Sequence, residues 1–494
     1  MAKSIMIQGT MSNVGKSLLT AALCRIFKQD GYSAAPFKSQ NMALNSYITN
    51  DGLEIGRAQA MQAEAAGIEP SVLMNPILLK PTTDVGSQVI VNGIARGNFS
   101  ATEYFRHKKE LIPDIRTAFN TLSKQHDIIV IEGAGSAAEL NLNTDDIVNM
   151  GMAALAKAPV LLVGDIDRGG VFAQLIGTLM LLEADQQKMI KGLVVNKFRG
   201  DLSLFRSGIE ILEQRGGKPV IGVLPYMQCD IEDEDSLSEK LRKTAADAKI
   251  DIAVIHLPRI SNFTDFDVFS QYPDVSIRYV KKASFLGTPD FILLPGTKST
   301  IHDMKWLRES GMEAAIRECA CKEIPVFGIC GGYQILGEEI SDPLGTEGGG
   351  PIRGMALLPA KTIFSPEKTR TRTSGCFRTI HGIFSELSDT EFEGYEIHMG
   401  ITKSSASPLY AEQEGAQHNN IYGCYIHGIF DQSHISETIV KALCRKKGVV
   451  YSGTRVPDRH VYKEQQFDLL ADTVRANLNL ERVYQILEQG LMTP

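Results

Sequence analysis

From Ser4 to about Tyr226, short apolar runs alternate with longer stretches whose apolar residues recur at helical spacing. Ile5-Met6-Ile7, Ile128–Glu132, Val160–Gly164, Gly192–Asn196 and Val220–Leu224 are nearly all apolar. Unbroken runs of this kind are expected of parallel strands covered on both faces. The pattern predicts a doubly wound α/β domain that binds ligands at the carboxyl ends of its strands. Charge then rises sharply over residues 228–250, where the acidic cluster Ile231–Asp235 reads as a solvated linker. Strand-like runs resume at Ile252–His256, Phe291–Leu294 and Ile324–Ile329, predicting a second α/β domain. The tail from about 458 to 490 is helical in pattern, with Phe467, Leu470, Val474, Leu478 and Val483 on one stripe. The expected division is a first domain over 1–228, a linker over 229–250, a second domain over 251–440, and a helical extension over 441–494 packed on the domains.

Composition narrows the class without naming a reaction. A chain of 494 residues, 43% hydrophobic and 22% charged, has a soluble globular composition and length for two domains. Its net charge of -7 argues against a nucleic-acid partner. No stretch reaches the length of a membrane span, and the first residues lack a basic-then-apolar signal pattern. The eight cysteines are scattered with no CxxC pair, as expected in a reducing cytoplasm rather than in a metal ribbon or redox motif.

Candidate chemistry begins after the first run. Gly9-Thr10-Met11-Ser12-Asn13-Val14-Gly15-Lys16-Ser17 lies between a strand pattern and the helical pattern Leu18–Leu23. That order is the layout of a phosphate-binding loop. Glycine admits close approach of phosphate oxygens, and the helix start offers free N–H groups and a positive dipole end. Lys16 can reach the β- and γ-phosphates, and the Ser17 hydroxyl can bind Mg2+. Thr10 stands where the usual first glycine falls, and Gly9 lies one residue earlier.

Three further stretches close strand patterns. Lys38, in Pro36-Phe37-Lys38-Ser39-Gln40-Asn41, either faces the phosphates or is a solvated loop lysine. Glu132, before Gly133-Ala134-Gly135, ends a buried run where an unpaired carboxylate is costly. A Mg2+ contact explains it, with helix capping as the alternative. Asp165, Asp167 and Arg168 are suited to metal, phosphate or a substrate carboxylate. Asn196-Lys197 occupies a position suited to a nucleotide base.

In the second domain Gly328-Ile329-Cys330-Gly331-Gly332 joins a strand pattern to a helical one, the layout of a nucleophile elbow. Helix N-termini favour thiolates, and the N–H of Gly331 can bind an oxyanion. A buried structural cysteine is the plain alternative. The turn Leu294-Pro295-Gly296-Thr297 can supply a second donor or be simply a tight turn. Among ten histidines, His427 after Tyr425-Ile426 is the best base, with His398 its competitor.

Taken together, these motifs resemble the cobyric acid synthase family, glutamine-dependent amidotransferases of cobalamin biosynthesis. The first domain is similar to dethiobiotin synthetase at Gly9–Ser17, Glu132–Gly135 and Asn196-Lys197. The second is similar to class I glutamine amidotransferases at Gly328–Gly332 and His427. Phe37–Ser46 and Gly394–Gly400 resemble that family in particular. The resemblance implies ATP and Mg2+ as cofactors and glutamine and a corrinoid, adenosyl-cobyrinic acid a,c-diamide, as partners. It assigns nucleotide binding to Thr10, Gly15, Lys16, Ser17, Lys38 and Asn196, and metal binding to Ser17 and Glu132. It makes Cys330 and His427 catalytic. Triad-type relatives commonly carry Glu two residues after the histidine, where this chain has Ile429, so Glu396 becomes a candidate to orient His427. The rival readings are cobyrinic acid a,c-diamide synthase and a non-enzymic phosphate-loop switch.

Overall fold

The computed structural model describes residues 2–83, 86–227, 229–231, 248–347, 349–410, 414–454 and 456–491. Of the expected linker, residues 232–247 lie outside that set, as does most of the acidic cluster. The chain divides into two compact units. One holds Met1–Ala43, Leu53–Glu234 and Lys463–Pro494, and the other Leu44–Gly52 and Asp235–Tyr462.

The first unit is built on strands β1 (Lys3–Gly9), β2 (Ala34–Phe37), β3 (Ile128–Glu132), β4 (Val160–Asp165), β5 (Ile190–Phe198) and β6 (Val220–Pro225). All pair in parallel, in the order β6-β5-β4-β1-β3-β2. Their apolar runs are unbroken because successive side chains enter different cores. Ile5, Ile7, Val130, Leu161 and Val163 join one, while Met6, Ile129, Ile131, Leu162 and Val195 join the other. Strands β3 and β4 flank β1, so the chain changes direction across the sheet there. The carboxyl end of β1 is therefore the switch point at which open α/β sheets bind ligands, and helix α1 (Lys16–Gln29) starts beside it.

The tail forms helices Arg459–Asn477 and Leu480–Gln489. Phe467, Leu470, Val474, Leu478 and Val483 are buried in the same core as Ile5 and Ile7. Burial of such a side chain contributes about 1.5–3 kcal/mol, so this stripe is part of the unit's interior. Arg25, itself buried, pairs with Glu464 at 2.9 Å and Asp468 at 2.8 Å, fixing the helix on α1.

The second unit carries β7 (Ile250–Ile255), β8 (Val275–Val280), β9 (Phe291–Leu294), β10 (Val326–Ile329), β11 (Ala416–His418) and β12 (Ile421–Cys424). Their order is β8-β7-β9-β10-β12-β11, parallel except for β11. A second sheet adds the long antiparallel pair Ala360–Cys376 and Glu391–Ser404, against which Ile426–His427 aligns His427 opposite Tyr395. Among the described residues no helix is long and apolar enough to cross a membrane.

Candidate active sites

In the first unit the loop after β1 is shaped by two close approaches. A Cβ on Gly9 would lie 2.7 Å from Val14 Cγ2. Gly15 adopts φ +93°, and a Cβ there would lie 2.2 Å from Asn196 Nδ2, so its glycine is required twice over. Thr10 donates its backbone N–H to Val163 O at 2.9 Å and its hydroxyl to Gln174 Oε1 at 3.2 Å. Lys16 Nζ spans the loop, donating to Met11 O and to Gly135 O, both at 3.0 Å.

Glu132 gathers the polar groups at the end of β3. The Ser17 hydroxyl donates to its Oε1 at 2.9 Å, Lys38 Nζ lies 2.8 Å from the same oxygen, and Gln62 Nε2 donates to Oε2 at 2.6 Å. Burial alone would raise this carboxyl, but Lys38, Gln62 and Lys16 outweigh it and hold Glu132 below the usual carboxylate range. The site therefore carries a fixed anion at neutral pH. Lys38 faces inward onto this anion rather than into solvent. The two glutamines of helix Arg57–Ala66, Gln59 and Gln62, are fully buried within the same network. Two polar residues on an otherwise alanine-rich helix face were the signal for them.

On the far side of the loop Asn196 donates from Nδ2 to Val14 O at 2.8 Å. Among the described residues its buried Oδ1 has no hydrogen-bond partner, and a ligand donor would satisfy it. Lys197, at φ +60°, reaches Asn13 O at 2.6 Å and Asp165 Oδ2 at 3.3 Å. Asp165 is thus turned toward protein partners, and Asp167 pairs with Arg199 at 2.7 Å.

In the second unit Cys330 sits at φ +55°, ψ -113°, between β10 and the short helix Gly331–Leu336. A non-glycine residue held there is strained and persists because its surroundings overdetermine it. A Cβ on Gly328 would meet Gly332 O at 2.7 Å, one on Gly332 would meet Leu294 O at 2.1 Å, and one on Gly331 would meet Thr297 Cγ2 at 2.6 Å. The glycines around the cysteine leave the turn no alternative residue. The Cys330 thiol donates to Ile397 O at 3.6 Å and lies beside His427.

His427 is buried, with Nδ1 at 2.7 Å from Asp265 Oδ2, while the Gly428 N–H donates to Asp265 Oδ1 at 3.2 Å. Tyr395 stacks on the imidazole with ring centroids 5.3 Å apart. Burial pulls the imidazole down, but the Asp265 charge and hydrogen bond and the contact with Cys330 outweigh it, raising it to about 10. With Nδ1–H donating to Asp265, Nε2 is the nitrogen left for Cys330.

The acid bonded to His427 is therefore Asp265 and not Glu396. Glu396 instead accepts from His398 Nε2 at 3.1 Å, and that ring stacks on Tyr425. Ile429 is fully buried, so the position two residues after the histidine is a core position. Asp265 lies in the segment Phe263–Gln271, between aromatic residues that pack inward. An acid inside such an apolar run is costly without a partner, and that was the available signal. A thiol, an imidazole and a carboxylate in this order suit acyl transfer from an amide, and the loop, lysines and buried anion of the first unit suit phosphoryl transfer.

Comparison with known proteins agrees with both halves. A family model described as CobQ/CobB/MinD/ParA nucleotide binding domain matches residues 5–238, and one described as CobB/CobQ-like glutamine amidotransferase domain matches residues 251–435. The cobyric acid synthase of Lachnoclostridium phytofermentans is 57% identical, with 99% of this chain and 100% of the relative covered. That of Ruminiclostridium cellulolyticum is 55% identical over 99% of this chain and 98% of its own. That of Yersinia enterocolitica is 48% identical over 98% of each. With this identity sustained over nearly the whole chain, and with both sites assembled, the chain belongs to the cobyric acid synthase family, glutamine amidotransferases of cobalamin biosynthesis.

Proposed function

We propose that this chain converts the b, d, e and g carboxylates of adenosyl-cobyrinic acid a,c-diamide to amides, consuming one ATP and one glutamine for each. The observation that carries the reading is the Cys330–His427–Asp265 array on a glycine elbow, in a chain that also holds a phosphate loop. The cytoplasm, where both small substrates abound, is the proposed location.

With His427 held as the imidazolium and the thiol proton resting on its Nε2, the Cys330 thiolate attacks the side-chain carbonyl carbon of glutamine. The oxyanion that forms lies within reach of the Gly331 N–H. The C–N bond breaks as His427 returns its proton to nitrogen, leaving ammonia and a glutamyl thioester on Cys330. Water, deprotonated by His427, then opens the thioester to glutamate and the free thiol.

In the first unit Lys16 and the loop N–H groups hold the triphosphate, and the unpartnered Asn196 Oδ1 receives a base N–H donor. The corrinoid carboxylate takes the γ-phosphoryl group, ADP leaves, and ammonia displaces phosphate from the acyl phosphate to form the amide. The oxygen pair of Ser17 and Glu132 fits a hard cation. Mg2+ held there would neutralise charge on the transferring phosphoryl group. Lys38 stays on Glu132 and keeps it ionised.

Two outcomes test this assignment. Asp265→Asn removes the charge that raises His427, so burial then dominates and the imidazole falls. The alkaline limb of glutamine hydrolysis, set by loss of the imidazolium that protonates departing ammonia, should move down from about pH 10 toward neutrality. Turnover with glutamine should drop sharply, and activity with ammonium salt should remain. An unshifted limb contradicts the role of Asp265. Separately, Glu132→Gln should raise the Mg2+ concentration needed for half-maximal amidation by about tenfold or more, because an anionic oxygen is the better ligand for a hard cation. An unchanged Mg2+ titration at full activity removes Glu132 from the metal site.

A further inference from the structure

Beside the elbow lies a two-stranded ribbon, Ile260–Ser261 paired antiparallel with Gly296–Thr297. It touches both members of the catalytic pair's surroundings. A Cβ on Gly296 would lie 3.2 Å from His427 Cε1, and Gly331, next to Cys330, approaches Thr297 so closely that a Cβ there would lie 2.6 Å from Cγ2. One strand of the ribbon continues through Asn262 and Phe263 to Asp265, the residue that holds His427. The ribbon thus sets the distance between the wall beside the thiol and the segment behind the histidine.

One strand of the ribbon and the residue just before the other are tied to one carboxylate. The Thr297 hydroxyl donates to Asp303 Oδ2 at 2.5 Å, and the Arg259 N–H donates to the same oxygen at 3.2 Å. The Ser299 N–H in turn donates to Thr297 Oγ1 at 3.1 Å, extending the tie to the start of helix Thr300–Glu309. Asp303 projects from that helix and is only 1% exposed. A carboxylate is an expensive group to bury, and its return is a stronger, shorter hydrogen bond than a neutral acceptor makes. A donor in one strand, Thr297, and a donor at the start of the other, Arg259, converging on one oxygen act as a buckle.

We propose that Asp303 is a positioning residue for glutamine hydrolysis: it buckles the ribbon so that Thr297 stays against Gly331 and the strand leading to Asp265 stays behind His427. The role rests on reading Cys330 and His427 as the glutamine-hydrolysing pair. A group that sets geometry near the transition state lowers kcat when lost and leaves KM nearly unchanged.

The test measures glutamate release and ammonium-driven amidation of adenosyl-cobyrinic acid a,c-diamide for Asp303→Ala, Asp303→Asn and Cys330→Ser. Asp303→Ala should lose roughly tenfold to a hundredfold in kcat for glutamine with KM changed less than about threefold, and it should keep its ammonium-driven rate. Asp303→Asn, which retains an acceptor oxygen, should recover most of that loss. Unchanged kcat in Asp303→Ala overturns the proposal, as does a loss confined to KM or an equal loss with ammonium. If Asp303→Ala does not fold, Thr297→Val breaks the same tie at constant shape, and glutamine turnover at the unaltered rate in that variant overturns it equally. Cys330→Ser separates the two levels. Normal glutamine turnover in Cys330→Ser defeats the underlying assignment, whereas its inactivity beside a fully active Asp303→Ala defeats the positioning role alone.

Discussion

Cys330→Ser is expected to abolish glutamine-driven amidation, by about 10⁴-fold or more, while leaving ammonium-driven amidation in place. The size follows from the step lost. A serine hydroxyl is a far weaker nucleophile than a thiol activated by a base, and the elbow offers no other nucleophile. His427 and Asp265 would remain paired at 2.7 Å with no thiol to act on. The selectivity follows from the proposed division of labour, in which ammonia is the only product of the second unit that the first consumes. With ammonium salt at raised pH, free ammonia supplies that reactant directly. The substitution exchanges sulfur for the smaller oxygen, so the strained turn at φ +55° is retained. Glutamine turnover at the usual rate would remove Cys330 as nucleophile. Failure with ammonium in a folded, ATP-binding variant would give Cys330 a part in the synthetase step.

Lys16→Ala is expected to fail with either nitrogen source, with the amidation rate down about 10³-fold or more. Lys16 is the cation at the start of α1, buried, with its ammonium drawn across the loop to the carbonyls of Met11 and Gly135. In the proposed reaction negative charge develops on the phosphoryl oxygens at this point, and a fixed cation there needs no reorganisation to meet it. Alanine leaves the backbone donors of the loop but removes that charge. Glutamine hydrolysis by the second unit should persist in the variant, uncoupled from amide formation. Near-normal amidation in Lys16→Ala would show that the loop does not serve phosphoryl transfer.

How far these sites were legible depends on whether their signal was local in sequence. The phosphate loop and the cysteine elbow each pack glycine, a reactive side chain and a strand-to-helix change into a few residues, so Gly15-Lys16-Ser17 and Cys330 could be read directly. The parallel strands were legible for a related reason: double-sided burial leaves runs such as Ile128–Glu132 without polar interruption, and the observed strand has those limits. The long pair Ala360–Cys376 and Glu391–Ser404 was not foreseen. Its threonines, lysines and arginines are largely exposed, and the register shifts between Ile363 and Lys368, so no period of two survives to mark it. The partner of His427 was missed because it comes from far along the chain. Asp265 precedes the histidine by many elements, and only the folded second unit brings them together. Glu396 was the nearer guess in sequence, yet its own partner is His398. Asp303 gave no local signal either, since an acid in the first turn of a helix is ordinary. Its convergence on Thr297 and Arg259 exists only in three dimensions.

The most direct test of the central claim follows nitrogen. The protein is incubated with adenosyl-cobyrinic acid a,c-diamide, ATP, Mg2+ and glutamine labelled with ¹⁵N at the side-chain amide, and the corrinoid is analysed by mass spectrometry. The expected product carries four new amides, each with one ¹⁵N, and no labelled product forms when ATP is left out. A corrinoid that returns unlabelled, or that gains label without ATP, would contradict the claim.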